Sequence, residues 1–155
     1  MANDKIKAKK VGLYVNMAAD PGTPTYESTP DWELIACSTS KGFNSDLETI
    51  ETASDCDDGA TSVEPGDITW SFTNDFYAVI NPDAGKVSHH TVLSVHKAKE
   101  KRQFKLESID DAGASFYIMG YGLLTNVSIT GDTGDYLTGS LTVTGSGDYE
   151  DTVGS

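Results

Sequence analysis

The sequence predicts a mainly β chain: an antiparallel β-sandwich or barrel with one flanking α-helix at about residues 88–100 and a long acidic arm at about 41–66. Three observations predict it. Apolar and polar residues alternate with period two in most apolar segments, short clusters of turn residues separate them, and a single segment carries helical spacing. The 155 residues suit one domain, read as 1–155 with a basic N-terminal arm at 1–10 and a flexible C-terminal tail at 148–155.

Taken in order, Val11 to Val15 is a short apolar run, too short for the apolar region of a signal peptide. WELIA (32–36) alternates, with Trp32, Leu34 and Ala36 on the apolar face. It delivers Cys37, Ser38, Thr39 and Ser40 in succession, then Lys41 and Gly42. In the arm that follows, Phe43, Leu47 and Ile50 fit neither period, so the segment reads as a projecting loop. A loop so long inside a compact domain is uncommon, and is usually functional or disordered. DITWSFT then sets Ile68, Trp70 and Phe72 against Thr69, Ser71 and Thr73.

In SHHTVLSVHKAKEKR (88–102), Ser88 suits an N-cap, where its hydroxyl can satisfy a free backbone N–H. Val92, Val95 and His96 share a face, with Leu93 at its margin. Lys97, Lys99, Lys101 and Arg102 crowd the C-terminal turns, where the helix dipole favours cations. Leu93 and Val95 also alternate, which leaves a strand as the second reading. QFKLES, FYIMGYGLL, NVSIT and SLTVT supply further strands, with Phe104, Leu106, Val127, Ile129, Leu141 and Val143 turned inward. Asn81-Pro82-Asp83, Asp111-Ala112-Gly113 and Gly131-Asp132-Thr133-Gly134 are the turns between strands.

Asp and Glu total 24 against 11 Lys and Arg, a net charge of −13. Between Gly42 and Gly85 there is no cation, while ten acids fall there, from Asp46 to Asp83. This asymmetry is either a solvated surface or electrostatic complementarity between copies, basic strip against acidic half. DNA binding is disfavoured on both readings, because affinity for nucleic acid comes mainly from cations on phosphates. No stretch approaches the roughly 20 apolar residues of a membrane helix, so no membrane anchor is expected. Cys37 and Cys56 lack metal-binding or redox spacing and are expected to be reduced thiols.

Three stretches invite a chemical reading. A nucleophile at Cys37 or Ser38 needs a histidine base within reach, yet His89, His90 and His96 all lie on the helix segment and no nucleophile elbow surrounds Ser38. Cys37 is expected to be a small, half-buried strand residue, with the following hydroxyls satisfying backbone groups where the strand turns. His89 and His96 lie two helical turns apart, too far for one ion, and read as structural. Counted from Asp55, Gly59 is fifth and Glu64 tenth, which fails the calcium-loop pattern of Gly at six and Glu at twelve. No phosphate-cradling loop occurs either. No enzyme, metal site or cofactor is expected.

WELIACSTSKGF, the long arm after it and VEPGDITWSF together resemble the first half of major tail tube proteins of siphophage-type bacteriophages. The second half, a helix followed by a strand and GYGLLTNVSITGDTGDYLTGSLTVTGSG, resembles the remainder, so the likeness covers about residues 30–147. It implies a structural virion protein whose six copies close into rings that stack into a tube for DNA delivery. It also implies a tape-measure protein and tail initiator (distal tail) and terminator proteins as partners, passage of double-stranded DNA without specific binding, and assembly in the host cytoplasm into the virion tail. The arm residues Lys41, Phe43, Leu47, Ile50, Pro65 and Gly66 become candidates for an interface between copies, as does the strip of Lys97, Lys99, Lys101 and Arg102. Two other readings compete: an immunoglobulin-like adhesive or carbohydrate-binding β-domain, and a tube protein of a bacterial contractile secretion system.

Overall fold

The computed structural model describes residues 11–18, 31–52, 62–108 and 116–153. In chain order it contains β1 (Val11–Asn16), β2 (Trp32–Ile35), β3 (Ser38–Thr52), β4 (Ser62–Tyr77), β5 (Lys86–Val87), α1 (His89–Ala98), β6 (Lys101–Ser108), β7 (Phe116–Thr130) and β8 (Thr138–Val153). The strands form one eight-stranded sheet in the order β3-β4-β8-β7-β6-β1-β2-β5. Its pairs are antiparallel except β2 with β5. The sheet is open but curled: β1 approaches β3, and Leu13, Val15 and Ile35 from one side share a core with Trp70, Phe72 and Phe76 from the other. The mainly β architecture with one helix is therefore met as a single sheet folded over its own core.

Most alternating segments face as expected. Phe104, Leu106, Leu141 and Val143 are buried, as are Trp70 and Phe72. β1 is different: it lies between β6 and β2 and is buried almost throughout, so its apolar run has no solvent face to produce alternation. In β2 the buried residue is Ile35, followed by Ala36, whereas Trp32 and Leu34 are only half-buried. Of the expected face only Ala36 is buried, and Ile35 beside it is buried as well, where the strand gives way to the turn at Ala36 and Cys37. At the end of β1 the buried Asn16 anchors the entry to β2, its Oδ1 accepting from Ala18 N (3.1 Å) and Asp31 N (3.0 Å).

The helix forms where the cap and spacing put it. Ser88 is extended (φ −86°, ψ 168°) and its Oγ accepts from Thr91 N; Val92 and Val95 are buried. The helix stops at Lys99, which turns left-handed (φ 57°) and donates its N–H to His96 O. Ser88→Ala should cost about 1 kcal/mol, the usual worth of an N-cap, read as a lower urea midpoint at unchanged slope.

Two expectations are corrected. Residues 148–153 are not a frayed tail: β8 continues to Val153, its last residues paired with the start of β7, Phe116 opposite Val153, and 154–155 lie outside the described residues. Residues 41–52 and 62–66 of the expected arm are not loop but paired strand, the greater part of a β3–β4 hairpin, while 53–61 lie outside the described residues. Its outer half is exposed on both faces, so no burial period marks it in sequence.

The sheet divides at Trp70. β4 pairs with β8 only over 71–77; towards the hairpin tip β8 pairs with β7 alone and β4 with β3 alone. Trp70 fills the fork, 3% exposed, donating from Nε1 to Gly147 O at 2.7 Å. Its ring meets Phe72 and Tyr149 edge-on, with centroids 5.5 and 6.0 Å away. Glycines make the room: a Cβ on Gly145 would overlap the indole outright, and one on Gly120 would lie 2.6 Å from it.

Candidate assembly interface

The hairpin is rooted by aromatic packing and then leaves the body. Phe43 sits opposite Phe72, its ring 5.2 Å from that of Phe72 and 4.9 Å from that of Tyr149. Tyr149 Oη reaches across to Ser45 Oγ at 3.1 Å. Residues two apart share a face, so the line Phe72, Trp70, Ile68 on β4 matches Phe43, Ser45, Leu47 on β3. The core face therefore runs outward onto Leu47 and Ile68, a facing pair 54% and 52% exposed. A register shift between Leu47 and Thr49 follows, where Gly66 and Asp67 of β4 are skipped and Pro65 comes opposite Thr49. A Cβ on Gly66 would lie 3.0 Å from Glu48 O, so the close approach at the shift favours glycine. Beyond it Ile50 and Val63 are also exposed, among the acids Asp46, Glu48, Glu51, Glu64 and Asp67. β3 is the edge of the sheet, and outer β4 has no second neighbour among the described residues, so the arm offers free backbone groups along both sides.

Of the arm candidates, Leu47, Ile50, Pro65 and Gly66 lie on the projecting part. Lys41 is half-buried at the root opposite Asn74, and Phe43 belongs to the packing of the body. The basic strip is shorter than expected. Lys97, Lys99 and Lys101 are exposed, but the Arg102 guanidinium pairs with Glu100 Oε2 at 2.6 Å and donates to Asn16 O and Met17 O. Lys105 is likewise engaged, with Glu107 and with its ammonium 4.3 Å from the Trp32 ring centre.

A second exposed apolar group was missed from sequence. At the opposite end of β4, Tyr77, Ile80, Tyr136 and Leu137 are 45%, 84%, 83% and 47% exposed. Ala78 N donates to Leu137 O at 2.9 Å, joining the end of β4 to the β7–β8 turn, and the Tyr77 and Tyr136 rings meet edge-on. A cleft of about 370 Å³ opens beside the two tyrosines, lined otherwise by Thr130, Gly131, Asp132, Asp135 and Thr138; Ile80 and Leu137 do not border it. The sequence signal was present: FYAVI carries its apolar residues past the end of alternation, and a tyrosine and leucine follow a turn.

The histidines and the Cys37–Ser38 turn have structural engagements. His89 Nδ1 lies 3.1 Å from Val79 O and His96 Nδ1 2.8 Å from Leu124 O, tying the start of α1 to the segment after β4 and its end to β7. Cys37 is an exposed turn residue with φ 52°, not a half-buried strand residue, and its carbonyl accepts from Tyr77 N. Ser38 Oγ accepts from the buried Asn74 Nδ2 at 2.8 Å. Among the described residues no group of three or more His, Cys, Asp or Glu could hold a metal ion. Cys56, residues 55–61 of the acidic stretch and the lysines of residues 1–10 lie outside the described residues.

Glu33 on β2 has its pKa raised, by burial first and by Asp31 second. The folded chain thus holds this proton more tightly than the unfolded chain, so stability falls as pH rises through the raised value. Glu33→Gln should raise the melting temperature at neutral pH, with the gain vanishing below the ordinary carboxylate range.

No protein-family model matches the chain, nor does any curated protein match it in sequence. Solved structures do. A chain from the tail of an empty gene transfer agent particle, refined with C6 symmetry, superposes with TM-score 0.71 at 16% identity, covering 96% of this chain and 99% of that one. The SPP1 tail tube superposes with TM-score 0.68 at 13% identity, over 95% of this chain and 78% of that one. This chain has the tail-tube fold. The tail-tube likeness extends to a chain of the six-fold anti-feeding prophage baseplate, TM-score 0.63 at 10% identity, covering 98% and 97% of the two chains.

Proposed function

We propose that the protein is the repeating subunit of a phage-type tail tube. Six copies close into a ring, and rings stack into a conduit through which double-stranded DNA leaves the virion. The observation that carries this reading is the superposition over almost the whole chain on a tail subunit of a C6-symmetric particle. A projecting hairpin with exposed Leu47, Ile50, Val63 and Ile68 supports it, since isolated monomers rarely keep such features unpartnered. The protein acts by assembly rather than by catalysis. Its partners are its own copies, a tape-measure protein inside the tube, and initiator and terminator proteins at the tube ends. It is made and assembled in the host cytoplasm and resides in the tail.

The charge suits a conduit. Duplex DNA presents a negative charge about every 1.7 Å, and cations repeated around a bore would hold it. Acids therefore line the lumen, while Lys97, Lys99 and Lys101 face subunit neighbours or the outside. The second reading, a tube protein of a contractile secretion system, draws on the anti-feeding prophage likeness, which superposes less closely.

Negative-stain electron microscopy of the concentrated protein, paired with its native mass, tests assembly. Rings or hollow tubes are expected. Monomers alone, at millimolar concentration and high salt, overturn the reading.

A further inference from the structure

Lys105 shows how this chain seats a lysine. Its ammonium lies 4.3 Å from the Trp32 ring centre and 5.4 Å from that of Tyr14, and it pairs with the Glu107 carboxylate. Ring faces and carboxylate all turn negative potential towards the cation.

The Tyr77–Tyr136 cleft offers the same groups at the surface. Its two rings meet edge-on with centroids 6.0 Å apart, and Asp132 and Asp135 line the cleft with them. Asp135 N donates to Asp132 O at 3.0 Å, which holds both acids on one turn. Neither acid has a basic partner among the described residues. The complementary groups lie elsewhere on the chain. Lys97, Lys99 and Lys101 are exposed and without an acidic partner among the described residues, whereas Arg102 and Lys105 near them are paired. The helix dipole accounts for cations in the last turn of α1, but Lys101 lies beyond it, in β6.

The lysines and the cleft cannot meet within one copy. α1 starts beside Val79, just past Tyr77, and ends against Leu124, so it carries its lysines away from the cleft. Lys101 stands opposite Leu123, seven residues along β7 from Thr130 at the cleft, roughly 23 Å.

We infer that the lysines at the end of α1 in one copy dock in the Tyr77–Tyr136 cleft of a neighbouring copy. This rests on the tail-tube reading and adds to it a charged contact separate from the arm. The two surfaces differ, so the contact is heterologous, and a heterologous contact repeated by rotation closes a ring. It also fixes how copies meet: in a chain of net charge −13 most other pairings set acid against acid.

Carbodiimide coupling tests the pairing on the unaltered chain, because it joins an amine to a carboxylate only where the two touch. An equal mixture of unlabelled and nitrogen-15-labelled protein is assembled, coupled and digested. Peptide pairs of mixed label should link Lys97, Lys99 or Lys101 to Asp132 or Asp135. Charge reversal is the second measurement. Asp132→Lys with Asp135→Lys, and separately Lys97→Glu with Lys99→Glu and Lys101→Glu, should keep native tryptophan emission and raise the concentration needed for rings about tenfold or more. Mixing the two reversed chains should bring it back near the unaltered value, since an even number of copies lets them alternate. Coupling of these lysines only to other acids, such as Glu48, Glu51 or Glu64 of the arm, overturns the pairing and leaves the tube reading intact. So does a mixture of two folded reversed chains that assembles no better than either alone. Absence of rings and tubes from the unaltered chain overturns the tube reading itself.

Discussion

Gly145→Ala is expected to destabilise the protein by about 3 kcal/mol, the upper range for overpacking a core. The new methyl group would overlap the Trp70 indole, and the indole has nowhere to go. Its Nε1 is held by Gly147 O, Phe72 and Tyr149 abut its ring, and Gly120 lies close to it as well. Urea unfolding followed by fluorescence reads the loss. Trp70→Leu alone removes a large buried ring and should itself be costly. Combined with Gly145→Ala it should cost clearly less than the sum, because the methyl group then has space. Additive losses, or a Gly145→Ala protein within about 0.5 kcal/mol of wild type, would mean the strands part freely at the fork.

The second large effect concerns assembly. Replacing residues 48–67 by an Asn-Gly turn joins Leu47 directly to its facing partner Ile68, a short connection suited to hairpins. The product should fold as a monomer with native Trp70 emission and form no tubes at a hundred times the wild-type threshold. Electron microscopy and native mass measure both. Tubes of ordinary length would exclude the arm from assembly. The boundary matters: a cut at 43–64 would also take Phe43, whose loss from the aromatic cluster should cost about 3–5 kcal/mol, and misfolding would then imitate a failure to assemble.

The arm also shows where sequence reasoning stops. Alternation records burial on one face. Trp70 and Phe72 therefore announced a strand, while Leu47, Ile50 and Val63, exposed on a ribbon with a register shift, announced nothing, and Ile68, read with Trp70 and Phe72 as inward, is exposed. β1 was silent for the opposite reason, being buried on both faces. The helix was legible because its signals are local: a hydroxyl at Ser88, valines at Val92 and Val95. Arg102 looked like Lys97 and Lys99, since sequence cannot say that Asn16 and Met17 carbonyls lie within its reach. The Tyr77–Tyr136 face joins residues nearly sixty positions apart, and only pairing of β4 with β8 brings them together.

β4 runs unbroken from Ser62 in the arm to Tyr77 at the other end of the sheet, so in the proposed tube it is also a tension member. A pull between those two ends would run parallel to the strand. The ladders to β3 and β8 would then be loaded lengthwise, so that their hydrogen bonds bear force together instead of opening one after another. Mechanical strength along the tube would come from the direction in which one strand runs, with no covalent link between copies.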